Sequence, residues 1–323
     1  MTLVADNALA LAICKQTAKG APSSTAQAVL DYIGGFGPEP NWATLQTAET
    51  DAQRQLADQV RVGFSVLGQS EHYVRPDYNH YLTHALLGAT VTTGTTDKTH
   101  VATPTVDGSA PYYTLVKDVG SDVEVTEMDD TQASKIEWTG GQGQALSAMV
   151  DWVGLAAVLG ASMPSGSPSV QAILAYPDVA CTWGGVHDGS VQSFKVTADQ
   201  GRTAWIGDTG VGAFDIVPGI LSVTAELVML FQSDADYRNF ITGSPTGTTP
   251  ATQIPSQALS IIAAIDANNS VQWDMADAQI LSYARQHGTD GAPLLATLSL
   301  KSKRSATLSD VLTVTTKNTI AAP

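Results

Sequence analysis

The chain has 323 residues, is 43% hydrophobic and only 15% charged, and carries a formal net charge of −15 from 16 basic and 31 acidic residues. That composition excludes a disordered chain and disfavours affinity for nucleic acid, because phosphate binding needs clustered Lys and Arg. Two cysteines, Cys14 and Cys181, are too few for a disulfide framework, and no apolar run approaches the ~18 residues of a membrane helix.

Near the N-terminus, Leu9, Leu11 and Ile13 suggest a strand running to a turn at Lys19 to Pro22. No basic leader or cleavage site precedes it, so a soluble chain made in a cytoplasm is expected. Gly34 to Pro40 reads as loop by its Gly and Pro content. Thr50 to Arg61 is ambiguous: it opens like a capping box, yet Val60, Val62, Phe64 and Val66 then alternate like a strand.

Arg75 to Gly88 is the clearest helix of the first half, with Pro76 in its first turn, Tyr78, Tyr81, Leu82, Ala85 and Leu86 on one face, and Gly88 to stop it. His80 and His84 are four apart, a spacing that suits a metal, but no third ligand stands out and a polar helix face is the plainer reading. Thr90 to Thr99 is a polar linker. Tyr112 to Glu127 reads as strand, turn at Gly120 and Ser121, then strand.

Six carboxylates crowd Asp118 to Asp130 without an intervening Lys or Arg: Asp118, Asp122, Glu124, Glu127, Asp129 and Asp130. They are a solvated strand edge, which also discourages aggregation, or a negative surface lining an enclosed space. In an uninterrupted strand Glu124 and Glu127 have opposite parity, so the six cannot share one face.

Lys135 to Thr139 alternates, Gly140 to Gly143 connects, and Ala145 to Val153 returns as a second strand. Pro164 to Pro168 is a break. Ser190 to Val196 opens a second strand–connector–strand unit, which runs through Gln200 to Pro218. The most informative segment follows. Leu221, Val223, Ala225, Leu227, Met229 and Phe231 alternate onto one face, opposite Ser222, Thr224 and Glu226. Ser233 then reads as the cap of a short helix with Asp234 and Asp236 in its first turn and Gly243 at its end. Leu259 to Ile265 and Val271 to Met275 flank a turn, as do Gln279 to Arg285 and Leu294 to Lys301.

The prediction is a mainly antiparallel β-sandwich or barrel. Its parts are an N-terminal strand or arm (1–30), a long loop (31–60), the body (61–304) with helices near 76–87 and 234–242, and a C-terminal arm (305–323). No nucleophile elbow, phosphate-binding loop or zinc spacing occurs, so no catalytic residue, cofactor or metal is expected.

The order of the motifs resembles the major tail tube protein of long-tailed, siphophage-type bacteriophages. The matching stretches are LALAICKQTAKG (9–20), Leu86-Leu87-Gly88, Thr99 to Pro104, Tyr112 to Leu115, SKIEWTGGQGQALSAMVDWVG (134–154), VQSFKVTADQG (191–201), and Asp234, Asp236, Tyr237, Phe240 and Gly243. The likeness runs from about Leu9 to Lys301. It implies a structural virion protein, made in the host cytoplasm, whose hexameric rings stack into the tail tube. Its partners would be itself, the tape measure protein and tail-end proteins, with DNA passing through unbound and no membrane contact. The six carboxylates would then be candidates for the lumen. Contacts between rings are expected from the N-terminal segment, from Gly34 to Asp58 and from the residues after Arg304. The alternative is a β-sandwich adhesin or surface-layer protein, and a glycan hydrolase on a β scaffold comes third.

Overall fold

The computed structural model describes residues 9–46, 59–120, 124–166, 169, 171–184, 186–187, 190–208, 210–252, 255–286, 293–304 and 310–323. In chain order the first half comprises β1 (Leu9–Lys15), β2 (Ala28–Asp31), β3 (Gly34–Gln46), β4 (Gln59–Tyr73), α1 (Pro76–Leu87), β5 (Gly88–Thr93), β6 (Lys98–Pro104), β7 (Tyr113–Val119), β8 (Glu124–Gly141), β9 (Ser147–Gly154) and β10 (Ala156–Leu159). The second half comprises β11 (Val179–Trp183), β12 (Val186–His187), β13 (Val191–Asp199), β14 (Thr203–Ile206), β15 (Ala213–Val217), β16 (Ser222–Leu230), α2 (Ala235–Thr242), β17 (Gln257–Asp266), β18 (Asn269–Gln286), β19 (Leu295–Ser302) and β20 (Thr313–Asn318). The protein is therefore mainly antiparallel β with two helices, as the alternating patterns predict.

One antiparallel run passes through β3, β4, β9, β8, β13, β16, β19 and β18. Two strands of 18 residues each hand the chain on to further layers. The first half of β18 lies between β17 and β20, while its second half pairs with β19. From there β17 leads to β11 and β12, and β20 leads to β6 and β5. β8 does the same at its N-terminal half, which pairs with β7 and β10, and β7 continues to β1 and β2.

Between these layers the alternating residues meet. Trp138, Trp152 and Trp273 are fully buried, with the Trp138 and Trp273 rings 5.9 Å apart and Phe194 5.8 Å from Trp273. Val223, Ala225, Leu227 and Met229 of β16 all point into this core. Burial of each such Val or Leu contributes about 1.5–3 kcal/mol.

Helix α1 contacts β8, β6 and β20 and is buried on every side, not on one face as its pattern suggests. Its polar residues are admitted because each finds a partner. Asn79 accepts from Trp138 Nε1 at 3.2 Å and donates to Thr316. His84 Nδ1 lies 2.8 Å from the Tyr113 hydroxyl. His80 stacks on His100 at 4.1 Å, and Asn318 reaches both imidazoles, at 3.2 Å and 3.0 Å. The two helical histidines therefore belong to a core network rather than to a polar surface. Gly88 ends the helix at φ 88°, where a Cβ would sit 2.0 Å from the Ser109 carbonyl oxygen.

Three expectations need correction. The 31–60 loop is mostly strand: β3 and the 15-residue β4 form a long hairpin, with residues 47–58 outside the described set. The composition misleads because β3 is an edge strand, where Pro38 and Pro40 lose no ladder bond on the open side, and a register shift between Gly34 and Gly37 absorbs the glycines. The C-terminal arm is not an arm either. β20 inserts between β18 and β6 and buries Leu312, Val314, Thr316 and Asn318. Finally, Asp234 rather than Ser233 takes the N-cap of α2, while Ser233 Oγ accepts from the Ala235 N–H at 3.4 Å.

Candidate functional site

An assembly protein is judged by the surfaces and strand edges it leaves open. The run from β3 to β18 has one face in the core; the other is open over β8, β13, β16 and β19 and is partly covered by the β14–β15 hairpin at β9 and β4. Register fixes the residues on the uncovered face. Asp151 of β9 stands opposite Lys135 of β8, Thr139 opposite Lys195 of β13, Lys195 opposite Glu226 of β16, Glu226 opposite Ser299 of β19, and Thr224 opposite Lys301. All of these side chains are half-buried or exposed.

The face is polar and electrically mixed. Lys195 Nζ is 2.8 Å from Glu137, and Lys135 bridges Glu137 and Asp151 at 3.8 and 3.9 Å. Thr139 and Ser147 exchange a hydroxyl bond at 2.9 Å. Burial, partly offset by Lys135, pushes the Asp151 carboxyl above its ordinary range. Ser and Thr side chains fill much of the rest, with Met149, Val228 and Leu281 among them, so the surface is largely polar and carries no concentrated charge of either sign.

Both edges of this run are unpaired among the described residues. β3 pairs with β4 alone. β18 pairs on one side with β19 and then β20, and on the other with β17 only as far as Ala278, so Ile280 to Gln286 has a side with no strand against it. An unpaired row of N–H and C=O groups is a template for another strand. Helix α2 closes the core side nearby: Tyr237 meets Tyr283 at 5.5 Å, and the Arg285 guanidinium lies over both rings.

The acidic stretch predicted from sequence sits elsewhere, on the β1–β7–β8 sheet, and the fold splits it. Asp118, Glu127 and Asp129 share a face with Ala12, Cys14, Val116 and Val125. Glu124 lies on the opposite face beside Lys117, which is buried and ion-paired to Glu39. Asp130 occupies a bulge at φ 52° and accepts the Gly20 N–H at 2.7 Å. Asp129 accepts from Thr114 Oγ1 at 2.9 Å. Asp122 lies outside the described residues. Burial and the neighbouring Asp129 push the Glu127 carboxyl up, and burial with Asp130 nearby does the same to Asp129. Cys14, buried between them, is pushed up to about 12 by burial and by the Glu127 and Asp129 charges, which leaves it an inert thiol. Cys181 is also buried and free, so the two cysteines are not bridged.

Sequence reading passed over the open face of β8, β13, β16 and β19. The signal was there in the second parity of the same strands, in Lys135 and Glu137, Lys195 and Thr197, Thr224 and Glu226. What it could not supply was the strand order that makes these pairs one surface. No cluster of metal-ligating side chains occurs among the described residues.

The comparisons agree with this architecture. A search of curated proteins finds no match. A family model described as phage tail tube protein matches residues 6–299, nearly the whole chain, and so the chain belongs to the phage tail tube protein family.

Proposed function

We propose that this chain is the repeating subunit of a bacteriophage tail tube: six copies close a ring, rings stack, and the bore encloses the tape measure protein and later conducts DNA. The observation that carries the reading is a continuous antiparallel sheet whose two end strands each keep a bare stretch of edge among the described residues, with a largely polar open face over β8, β13, β16 and β19. Strand pairing between neighbours removes both edges at once and turns open sheets into a closed wall. Its uncovered face then becomes the lining. Mixed, short-range ion pairs and hydroxyls there give a passing polyanion nothing to grip. The protein makes and breaks no bonds in this role, and its place is in the virion tail.

Asp118 and Glu127, half-exposed on one face, are the second proposal for the lining, and Glu124 is exposed on the other face. Asp129 and Asp130 are less suited, being buried and engaged with Thr114 and Gly20. The β3–β4 hairpin is the proposed contact between rings. Electron microscopy of the concentrated purified chain tests the reading. Hollow tubes with six-fold rings are the expected result, and a map of the wall identifies the lining. Monodisperse monomers at every concentration would overturn the tube, and family membership speaks for it over the adhesin or surface-layer alternative.

A further inference from the structure

The connector between β13 and β16 folds into a separate two-stranded sheet, β14–β15, that pairs with no other strand of the body. Ile216 anchors it on Val153 and Leu155. Its tip lies along β4: the Phe64 N–H donates to the Val211 carbonyl at 2.6 Å, and the Ile206 side chain fills the space over Gly63, where a Cβ would meet it at 2.4 Å. Glycine at 63 thus makes room for the seam between the two hairpins. Around that seam large apolar side chains face solvent: Trp205 is 61% exposed, Phe214 62% and Val60 45%.

Three arguments identify what covers them. The first is area. Trp42, Trp205 and Phe214 alone expose on the order of 300 Å² at the ~150–250 Å² an aromatic side chain offers. With Leu45, Val60 and Ile206 added, the total over both faces of the hairpin reaches the upper part of the ~300–600 Å² of the largest patch on an ordinary monomer. The second is geometry. The outer part of β3–β4 is apolar on both faces, with Trp42 and Phe64 on one and Leu45 and Val60 on the other. A two-stranded ribbon is marginal in water by itself, and β14–β15 covers only part of it. The third is charge. Segments 41–46, 59–68, 203–206 and 210–214 contain Arg61 and no carboxylate, Asp208 is the one exposed acid at the tip between them, and Asp215 is paired with Lys19 at 3.0 Å. On a chain of net charge −15, this is an acid-poor region, where two copies meet with little opposing charge.

We infer that β14–β15 and the outer β3–β4 hairpin form one composite docking surface whose occupant is a second copy of this chain, with Trp205 and Phe214 as its anchors. The inference rests on the tube reading and deepens it: the contact between copies is made by two hairpins joined at Gly63, not by the long hairpin alone. The test places a photo-cross-linking amino acid at position 205 of the full-length chain under tube-forming conditions, beside the exposed-site variants Trp205→Glu and Phe214→Glu. Adducts between chains are expected, and each variant should slow polymerisation at least tenfold while the monomer keeps its far-ultraviolet dichroism and thermal midpoint. Tubes that form without inter-chain adducts at 205, adducts confined to one chain, or variants that polymerise at the wild-type rate would each overturn it. A wild-type chain that never forms tubes yet cross-links to itself through 205 keeps this contact and sinks the tube instead. Adducts with added tape measure protein in place of a second copy would assign the surface to that partner and overturn the inference.

Discussion

At the scale of single residues, the histidines of α1 decide how the protein responds to acid. His80 and His84 are buried neutral. Burial, with the neighbouring His100 as the next cause, lowers His80 to about 3, and burial, with Lys15 next, lowers His84 to about 4. Both titrate near 6.5 in an unfolded chain. The folded state therefore binds fewer protons than the unfolded state below that value, and stability is full above about pH 6.5 and falls as the pH drops towards 4. From His84 alone the loss by pH 4 is on the order of 3 kcal/mol. Urea titrations across that range check this, and His84→Gln should flatten the slope. Asn318 is the other test at this scale. Its amide links Pro76, His80, His100 and the Ile320 N–H, so Asn318→Ala leaves several buried groups unpaired. A loss of about 2–4 kcal/mol is expected in the same assay.

At the scale of elements, two strands carried different amounts of legible information. The alternation of β16 and the stop signals of α1 are local, and their bounds follow from the sequence within a residue or two. β20 is made by partners far away in the chain, β6 among them, and reads as an arm by itself; β3 is made by the next strand, β4, but its glycines and prolines read as loop. The acids of β7 and β8 show the same limit. Parity separates Glu124 from Glu127, but only the bulge at Asp130 and the partners Thr114 and Gly20 reveal which carboxylates are already engaged. The corrected role of β20 reverses one expectation. Deleting the residues after Arg304 removes Leu312 and Val314 from the core and strips a strand from both β18 and β6. The truncated chain is expected to be insoluble or to lose its cooperative thermal transition, rather than to fold and stack poorly. A sharp transition near that of the full chain would show that β20 contributes little.

At the scale of the whole molecule, the surplus of acid and the neutral, ion-paired sheet face are separate facts with separate roles. The surplus keeps free subunits apart in solution; association then depends on ionic strength. Raising salt from low to physiological levels is expected to speed polymerisation, as followed by light scattering. The sheet face makes the opposite demand, that a polyanion pass without being held. Replacing Glu137 and Glu226 by Lys turns that face basic beside Lys135, Lys195 and Lys301. The Glu137 side chain is only 13% exposed and its pairs with Lys135 and Lys195 go with it, so the variant's thermal transition is checked first; tubes are expected to form still. They should retain DNA in a filter assay at low salt, which wild-type tubes should release.

The position of β20 also sets a clock. The strand that ties β5 and β6 to β18 is made more than two hundred residues after its partner β6. At about 5–20 residues per second of synthesis, β6 waits on the order of ten to forty seconds for it. Until β20 has left the ribosome, the β5–β6 hairpin has no ladder to β18.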